Sequence, residues 1–178
     1  ATDMALAPFI AAFRARFGEQ LRAVLLYGSY VRGKRDTVLD FYVVLDSYAP
    51  LPLVQRWANR VLAPNVYHLV VNTDAGEAAA KYATVTLAQF GCAIARDVHS
   101  YFWARFAQPY VVPYARDAAS MTHVVRQGEI AARRMLAATL PLMPVTFTSG
   151  EIWPRAFALT YGCELRAEDP TAGAALYR

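Results

Sequence analysis

The stretch AVLLYGSYVRGKRDTVLDFYVVLD, from Ala23 to Asp46, decides the fold of this chain. Two apolar runs rich in β-branched and aromatic residues flank a loop of glycine, serine and basic residues, which is typical of two strands joined by an irregular segment. We predict the first strand at Arg22 to Tyr27, the loop at Gly28 to Thr37 and the second strand at Val38 to Leu45. The rest of the sheet is expected to form around these two strands.

The loop contains residue types that bind phosphate. A glycine at the end of a strand lets the backbone approach a phosphate closely, and a following hydroxyl group can bind its oxygens. Gly28 and Ser29 are of these types, and Arg32, Lys34 and Arg35 in the same loop can neutralise phosphate charge. We therefore predict that these five residues bind a nucleotide. The structural alternative is a simple hairpin turn, because turn residues are chosen first for conformation.

The second strand carries a carboxylate inside an otherwise apolar run. Alternate residues of a strand share a face, so Asp40, Tyr42, Val44 and Asp46 are expected to point the same way. Burying a carboxylate is costly unless it is paired or bound to a metal, which favours a site role for Asp40. We predict Asp40 as a Mg²⁺ ligand and Asp46 as a second candidate ligand. For Asp46 the alternative is a turn cap, a common role for an aspartate that ends a strand.

The residues outside this stretch alternate between strand and helix patterns. We predict four helices, over Ala7 to Phe17, Leu53 to Leu62, Gln89 to Arg96 and Ser100 to Phe106. We predict two further strands, over Asn65 to Val71 and Ala83 to Leu87. Lys81 is placed just before the last of these strands. Such alternation indicates a sheet flanked by helices, of the α/β or α+β class.

The composition changes after Arg116. Alanine-rich helix formers predict one long helix over Ala118 to Ala138, followed by prolines, a short strand at Val145 to Thr148 and a last helix from Ser149 to near Arg166. We therefore divide the chain into a sheet domain, residues 1–113, and a small, mainly helical C-terminal domain, residues 114–178.

The composition of the 178 residues limits the possible partners. A net charge of +4 suits acidic partners such as nucleotides or anionic lipid, whereas the usual motifs of nucleic-acid modules are absent, so no nucleic-acid partner is expected. The hydrophobic share of 56% with only 18% charged residues favours an apolar face for a membrane or a partner. No apolar run approaches the ~20 residues that span a bilayer, and no secretory signal is recognisable, which predicts a cytoplasmic setting.

Isolated histidines and cysteines carry little functional signal. His68, His99 and His123 lack partners at metal-ligand spacing and are interpreted as structural or surface residues, with the alternative that His68 faces the nucleotide. Cys92 and Cys163 lie far apart and are interpreted as reduced, buried thiols rather than as a structural disulfide.

The spacing from Gly28-Ser29 to Asp40 resembles that of the polymerase-β-type nucleotidyltransferases, whose pattern is Gly-Ser, a variable loop and two aspartates one residue apart. Tyr42 stands at the second aspartate position. The strings LDFYVVLD, NVYHL, KYATVTLAQF and YFWARFAQPYVVPY resemble, in that order, one branch, the mitochondrial-type phosphatidate cytidylyltransferases, also called CDP-diacylglycerol synthases. The string LPLMPVTFTSGEIWPRAFALTYGCELRAED is similar to the helical region of that branch, so the resemblance covers most of the chain.

The resemblance implies an α+β nucleotidyltransferase fold, with a mixed sheet flanked by helices and a helical C-terminal domain. It implies Mg²⁺-dependent transfer of CMP from CTP to phosphatidic acid, giving CDP-diacylglycerol and pyrophosphate in phospholipid and cardiolipin biosynthesis. Gly28 and Ser29 would hold the triphosphate, Asp40 and Asp46 would bind metal, and Lys81 would offer a positive charge to phosphate. The ionised lipid phosphate is itself the nucleophile, so positioning and electrostatics replace a strong general base.

The resemblance also implies a peripheral membrane protein, at the inner face of a bacterial membrane or on the matrix side of a mitochondrial one. The segment Ser47 to Val61 is shorter than in the mitochondrial members, and the chain stops before their C-terminal segment, so it is either a compact bacterial relative or a truncated chain. Two alternatives stay open. One is a nucleotidyltransferase that acts on a small molecule, RNA or protein, and the other is a degenerate domain that binds nucleotide without turnover.

Overall fold

The computed structural model describes residues 4–34, 37–74, 76–98 and 100–161. Within these residues the helices and strands are, in chain order, α1 (Ala7–Phe17), β1 (Leu21–Tyr27), β2 (Leu39–Leu45), α2 (Leu53–Val61), β3 (Asn65–Thr73), β4 (Gly76–Thr86), α3 (Leu87–Arg96), α4 (Ser100–Phe106), β5 (Val111–Ala115), α5 (Ala118–Thr139) and α6 (Ser149–Tyr161). None of these helices is long and apolar enough to cross a membrane.

The chain divides into two compact units, each built from separate stretches of sequence. One contains the residues up to Phe90 together with Tyr110–Val124, and the other contains Gly91–Pro109 with the residues from Val125 onward. The first unit holds all five strands. The division into residues 1–113 and 114–178 stays a prediction.

The first unit is built on a mixed sheet with the strand order β3-β4-β2-β1-β5. β2 and β4 pair in parallel, while the other three neighbouring pairs are antiparallel. The parallel pair arises because α2 and β3 lie between β2 and β4 in the sequence and return the chain to the same end of the sheet. The predicted α+β class, a mixed sheet flanked by helices, is confirmed.

Aromatic packing joins α1 to the sheet. Phe9, Phe13 and Phe17 recur every four residues, so they share one face of α1, and all three are buried. The ring of Phe13 meets those of Phe41 and Tyr82 edge-on, with centroid distances of 5.4 and 5.2 Å. Burial of each phenylalanine contributes roughly 1.5–3 kcal/mol, so this face anchors the helix that covers one side of the sheet.

The structure lengthens one predicted strand. β4 begins at Gly76 rather than Ala83, because Ala78, Ala79 and Ala80 pair with β3 in an antiparallel hairpin. Alanine is a poor strand former, and the cross-strand pairing overrides that preference. Lys81 consequently lies within β4 rather than before it.

The predicted strand at Val145 to Thr148 is wrong. These residues form an irregular connection, and Val145 is fully exposed, so the segment buries no apolar face. Thr148 instead immediately precedes the helix α6: the Glu151 carboxylate accepts hydrogen bonds from the Thr148 backbone N–H at 2.7 Å and from its hydroxyl at 2.8 Å. The helix that follows is described to Tyr161, and its predicted end near Arg166 lies outside the described residues.

The helix α2 is oriented with its polar side toward the sheet. Asn59 is fully buried and accepts a hydrogen bond from the Thr84 hydroxyl at 3.0 Å, while its amide group donates to the Tyr67 hydroxyl at 2.7 Å. The apolar residues that predict this helix are largely exposed: Leu53, Val54, Trp57 and Val61. The amphipathic pattern therefore specified a helix, while polar contacts decided which side faces the sheet.

Candidate functional site

The end of β1 lies against the carboxylate of Asp40. Tyr27 is opposite Asp40 in the antiparallel pairing of β1 with β2, and Gly28 follows at φ +85°. A Cβ atom at Gly28 would lie 3.2 Å from Asp40 Oδ2. A side chain here would therefore meet both an unfavourable backbone conformation and the carboxylate, and glycine removes both obstacles.

The loop after Gly28 is closed by its own hydrogen bonds. The Ser29 and Thr37 hydroxyl oxygens lie 2.9 Å apart, and the backbone N–H of Lys34 donates to the Ser29 carbonyl at 3.1 Å. Arg32 and Lys34 are exposed, so their charges can meet an anion without losing buried packing. Arg35 lies outside the described residues.

Lys81 is a direct neighbour of Asp40. The two residues are opposite each other in the parallel pairing of β2 with β4, so their side chains leave the same face of the sheet about 5 Å apart. Lys81 is exposed, as expected for a lysine that meets a ligand or solvent. The structure thus brings Gly28, Asp40 and Lys81 together, although Gly28 and Lys81 are more than fifty positions apart in the sequence.

His68 extends this row of polar residues. It is opposite Lys81 in the antiparallel pairing of β3 with β4. Tyr27, Asp40, Lys81 and His68 therefore form a line across four neighbouring strands. The sequence left open whether His68 faces the nucleotide, and the register of β3 puts His68 beside Lys81.

Asp46 lies at the other end of β2. At about 3.3 Å per residue, the six-residue separation puts it roughly 20 Å from Asp40. It accepts hydrogen bonds from Arg22 and, at 2.8 Å, from Arg116. Since that separation exceeds the reach of two carboxylates around one ion, a single Mg²⁺ cannot bind both Asp40 and Asp46.

The charges around Asp46 change its acidity. Partial burial by itself raises the pKa of Asp46, but the hydrogen bonds and positive charges of Arg22 and Arg116 outweigh burial and hold the pKa below 3.8. Asp117 lies 3.6 Å from Arg22, and its pKa falls to about 2 because it accepts hydrogen bonds from Ser120. Asp46 is thus a charged member of an ion-pair group that joins β1, β2 and the start of α5.

The ion-pair group was not predicted from the sequence. Arg116 follows β5 directly, and its guanidinium also donates to the Glu19 carbonyl at 2.6 Å. Only the pairing of β5 with β1 brings Arg116 to the end of β2. No local spacing carries that information, because the partners are 70 positions apart in the sequence.

The residues at the Asp40 end fit one Mg²⁺ ion that arrives with a nucleotide. Mg²⁺ usually retains waters and is bound by one or two carboxylates together with substrate phosphates, so one well-placed aspartate is sufficient. In the part of the chain that the structure describes, no group of three or more histidine, cysteine or acidic residues is placed to hold a metal without substrate. Tyr42, at the second aspartate position of the resembled pattern, is buried with its ring 5.0 Å from that of Tyr27.

The other singled-out residues lie apart from this row or outside the described residues. Cys92 is a free thiol and is exposed, so the prediction that it is buried is wrong, and His123 lies on α5. His99 and Cys163 are outside the described residues.

Comparisons with known proteins add no family assignment. No protein-family model matches the chain, and no curated protein matches it. Among solved structures, the chain is similar to a crystal structure of a mutant of the toxin–antitoxin pair MntA–HpeT, with 13% identity over 75% of this chain and 92% of that chain and a TM-score of 0.38. A similarity at this level carries no conclusion about function.

Proposed function

We propose that this chain is a nucleotidyltransferase that binds a nucleoside triphosphate with Mg²⁺ at Gly28, Ser29, Asp40 and Lys81. The observation that supports it best is the close approach of the Gly28 backbone to the Asp40 carboxylate, with Lys81 beside them. Three groups meet at one end of the sheet: a turn that favours glycine, a carboxylate and a cation. Together they provide contacts for both phosphate and metal.

Each residue has a role that follows from its chemistry. The backbone at Gly28 and the hydroxyl of Ser29 bind phosphate oxygens, and Arg32 and Lys34 offset the charge of the triphosphate. Asp40 holds the metal, which when bound neutralises charge on the phosphates. Lys81 neutralises further phosphate charge beside Asp40.

The resemblance of the motifs indicates CTP as the donor and phosphatidic acid as the acceptor. A phosphate oxygen of phosphatidic acid attacks the α-phosphorus of CTP, the bond from that phosphorus to the bridging oxygen of the β-phosphate breaks, and pyrophosphate leaves. The products are CDP-diacylglycerol and pyrophosphate. The attacking phosphate is ionised near pH 7, so the residues need only orient it and stabilise charge. This acceptor implies work at a membrane surface, to which a chain of net charge +4 is electrostatically suited when the lipids are anionic.

A second candidate is a domain that binds nucleotide without turnover. Tyr42 fills the position of the second aspartate with a buried ring, and Asp46 is engaged by two arginines at the far end of β2. Both observations favour a site with a single metal-binding carboxylate. Transfer to a different acceptor, such as a small molecule, RNA or protein, would use the same donor site. Assays with different acceptors distinguish it from transfer to phosphatidic acid.

Calorimetry with CTP, ATP and GTP, with and without Mg²⁺, tests the donor site. We expect Mg²⁺-dependent binding of CTP that Asp40→Asn abolishes and that Asp74→Asn, an exposed turn aspartate, leaves unchanged. Transfer is then measured with radiolabelled CTP and phosphatidic acid in detergent micelles. Absence of any Mg²⁺-dependent nucleotide binding contradicts both candidates, whereas binding without release of pyrophosphate favours the second.

A further inference from the structure

We propose that the exposed face of the β3–β4 hairpin beside Asp40 is the acceptor subsite, which takes a phosphomonoester attached to an apolar group. Lys81 and His68 contact the acceptor phosphate, and Val66 and Val70 contact its apolar part. This inference rests on the proposed function, because it assigns the acceptor to the site that holds the donor.

The first support is the alternation of burial along β3. Its side chains are alternately shielded and exposed over the whole strand, and Val66 and Val70 are 62% and 57% exposed. The shielded residues between them, Tyr67 and Leu69, pack against the aromatic core. The opposite side of this strand therefore presents two valines to solvent with His68 between them.

The second support is the register of the hairpin. His68 is opposite Lys81, Val70 is opposite Ala79 and Val66 is opposite Ala83. Ala79 is exposed while Ala83 is buried, and both valines are themselves exposed, so a molecule that lies along β3 contacts a basic centre with an apolar residue on each side. This arrangement matches an amphiphilic anion better than a fully polar one.

The third support is the charge along the row. Lys81 and His68 are both exposed and directly opposite each other, so N–H groups of both side chains can donate to one phosphate bound between them. Asp40 lies on the other side of Lys81. Glu77 is the nearest acidic residue along β4, and it pairs with Asn72 four positions before Lys81, about 13 Å away.

The position of the row suits transfer. Asp40, Lys81 and His68 are on successive neighbouring strands at about 5 Å spacing, so Lys81 lies between the metal-binding carboxylate and the histidine. A phosphate held by Lys81 and His68 is next to the donor site, and the apolar part of the acceptor extends over the outer strand β3. The outer strand has no neighbour on its other side among the strands of the sheet, which leaves room for that part.

The test compares two acceptors that share the phosphomonoester, a short-chain phosphatidic acid and glycerol 3-phosphate. His68→Ala is expected to raise the KM for phosphatidic acid by about tenfold, with kcat within about twofold and the affinity for Mg–CTP unchanged. Val70→Ser is expected to raise the KM for phosphatidic acid but not for glycerol 3-phosphate. Asn72→Ala, on the same face of β3, and Val54→Ser, an exposed valine of α2, are the matched controls and should match wild type.

A direct binding measurement keeps the two proposals separate. Calorimetric titration of the CTP-loaded protein with short-chain phosphatidic acid below its micelle concentration should show weaker binding for His68→Ala and Val70→Ser than for both controls. If CTP binds but the four variants bind phosphatidic acid equally, the acceptor subsite is wrong while the donor site stands. If glycerol 3-phosphate is affected by Val70→Ser as strongly as phosphatidic acid, the apolar role of the valines is wrong. If no nucleotide binds, the proposed function fails first.

Discussion

The two ends of β2 each carry an aspartate, yet the two residues have different surroundings. Asp40, at the start of the strand, lies against the glycine turn after β1 and beside Lys81. Asp46, just past the end, accepts hydrogen bonds from Arg22 and Arg116. The same residue type on the same strand is suited to a ligand at one end and to holding the fold together at the other.

The difference arises from which elements converge at each end. At the Asp46 end, β1, β2 and the residue after β5 bring two guanidinium groups to one carboxylate, and each guanidinium donates one hydrogen bond to a different carboxylate oxygen. At the Asp40 end, the carboxylate lies against a glycine turn and beside an exposed lysine, and both are groups that can bind phosphate oxygens. A carboxylate is suited to a ligand where its neighbours can bind the same ligand.

The largest expected effect is that of Asp40→Asn on transfer. Removing the negative charge removes the metal-binding group, so we expect kcat/KM to fall by at least about 100-fold while the free energy of unfolding changes little. Rates of pyrophosphate release and chemical denaturation measure the two quantities. Asp46→Asn is the matched variant at the other end, and equal activity losses in the two variants would contradict the contrast between the ends.

Gly28→Ala is expected to have the next largest effect. The residue has φ +85°, and its new Cβ would lie 3.2 Å from Asp40 Oδ2. The left-handed conformation costs about 1–2 kcal/mol for a residue with a side chain, and displacement of Asp40 should weaken Mg–CTP binding by about tenfold. Thermal unfolding and calorimetry measure these effects.

Gly33→Ala is the control for this prediction. Gly33 also has a positive φ, +92°, but a Cβ there would meet nothing within 4 Å. It should lose similar stability and keep its nucleotide affinity. Equal losses of affinity in the two variants would show that loop strain, rather than contact with Asp40, decides binding.

Asp46→Asn should mainly affect stability and its dependence on pH. The pKa of Asp46 is lower in the folded chain than its ordinary 3.8, so its ion pairs stabilise the fold above about pH 4 and this contribution is lost as the pH falls through the folded pKa. We expect a loss of about 1–2 kcal/mol at pH 7, a modest value because the side chain is partly exposed.

Urea denaturation at a series of pH values checks this prediction. Between pH 5 and pH 3, a range of about two pH units around the ordinary carboxyl pKa, the variant should lose less stability than wild type. The loss is measured as the decrease in the urea concentration at the midpoint of unfolding. Asp117 and Glu151 also have lowered pKa values and retain their own acid dependence in the variant. A variant whose acid profile equals that of wild type would contradict the role assigned to Asp46.

The smallest expected effect is that of Thr37→Val. The substitution removes the hydroxyl that pairs with Ser29 at 2.9 Å while it preserves the shape of the side chain. A partly buried hydrogen bond of this kind contributes about 0.5–1.5 kcal/mol, so loop order and Mg–CTP affinity should decrease slightly. Thr37→Ser retains the hydroxyl and should restore both, as measured by calorimetry. Wild-type stability and affinity in Thr37→Val would contradict a role for this hydrogen bond.

Much of the local structure could be predicted from the sequence. The helix Ala7–Phe17 and the strands on either side of the Gly28 loop follow from apolar spacing and turn residues, which act over a few positions. The long α5 likewise follows from its alanine-rich composition. The false strand at Val145 to Thr148 shows the limit of this reasoning, because a short apolar run forms a strand only where a partner strand is available.

The sequence by itself determined the candidate residues Gly28, Ser29 and Asp40, because a turn glycine and a carboxylate in an apolar strand are local signals. Only the tertiary structure decided that Lys81 and His68 lie in one row with Asp40. It also decided that Asp46 lies about 20 Å from Asp40, paired with two arginines. The physical reason is strand register. A pairing between distant segments is set by the packing of the whole sheet, and no spacing within either segment encodes it.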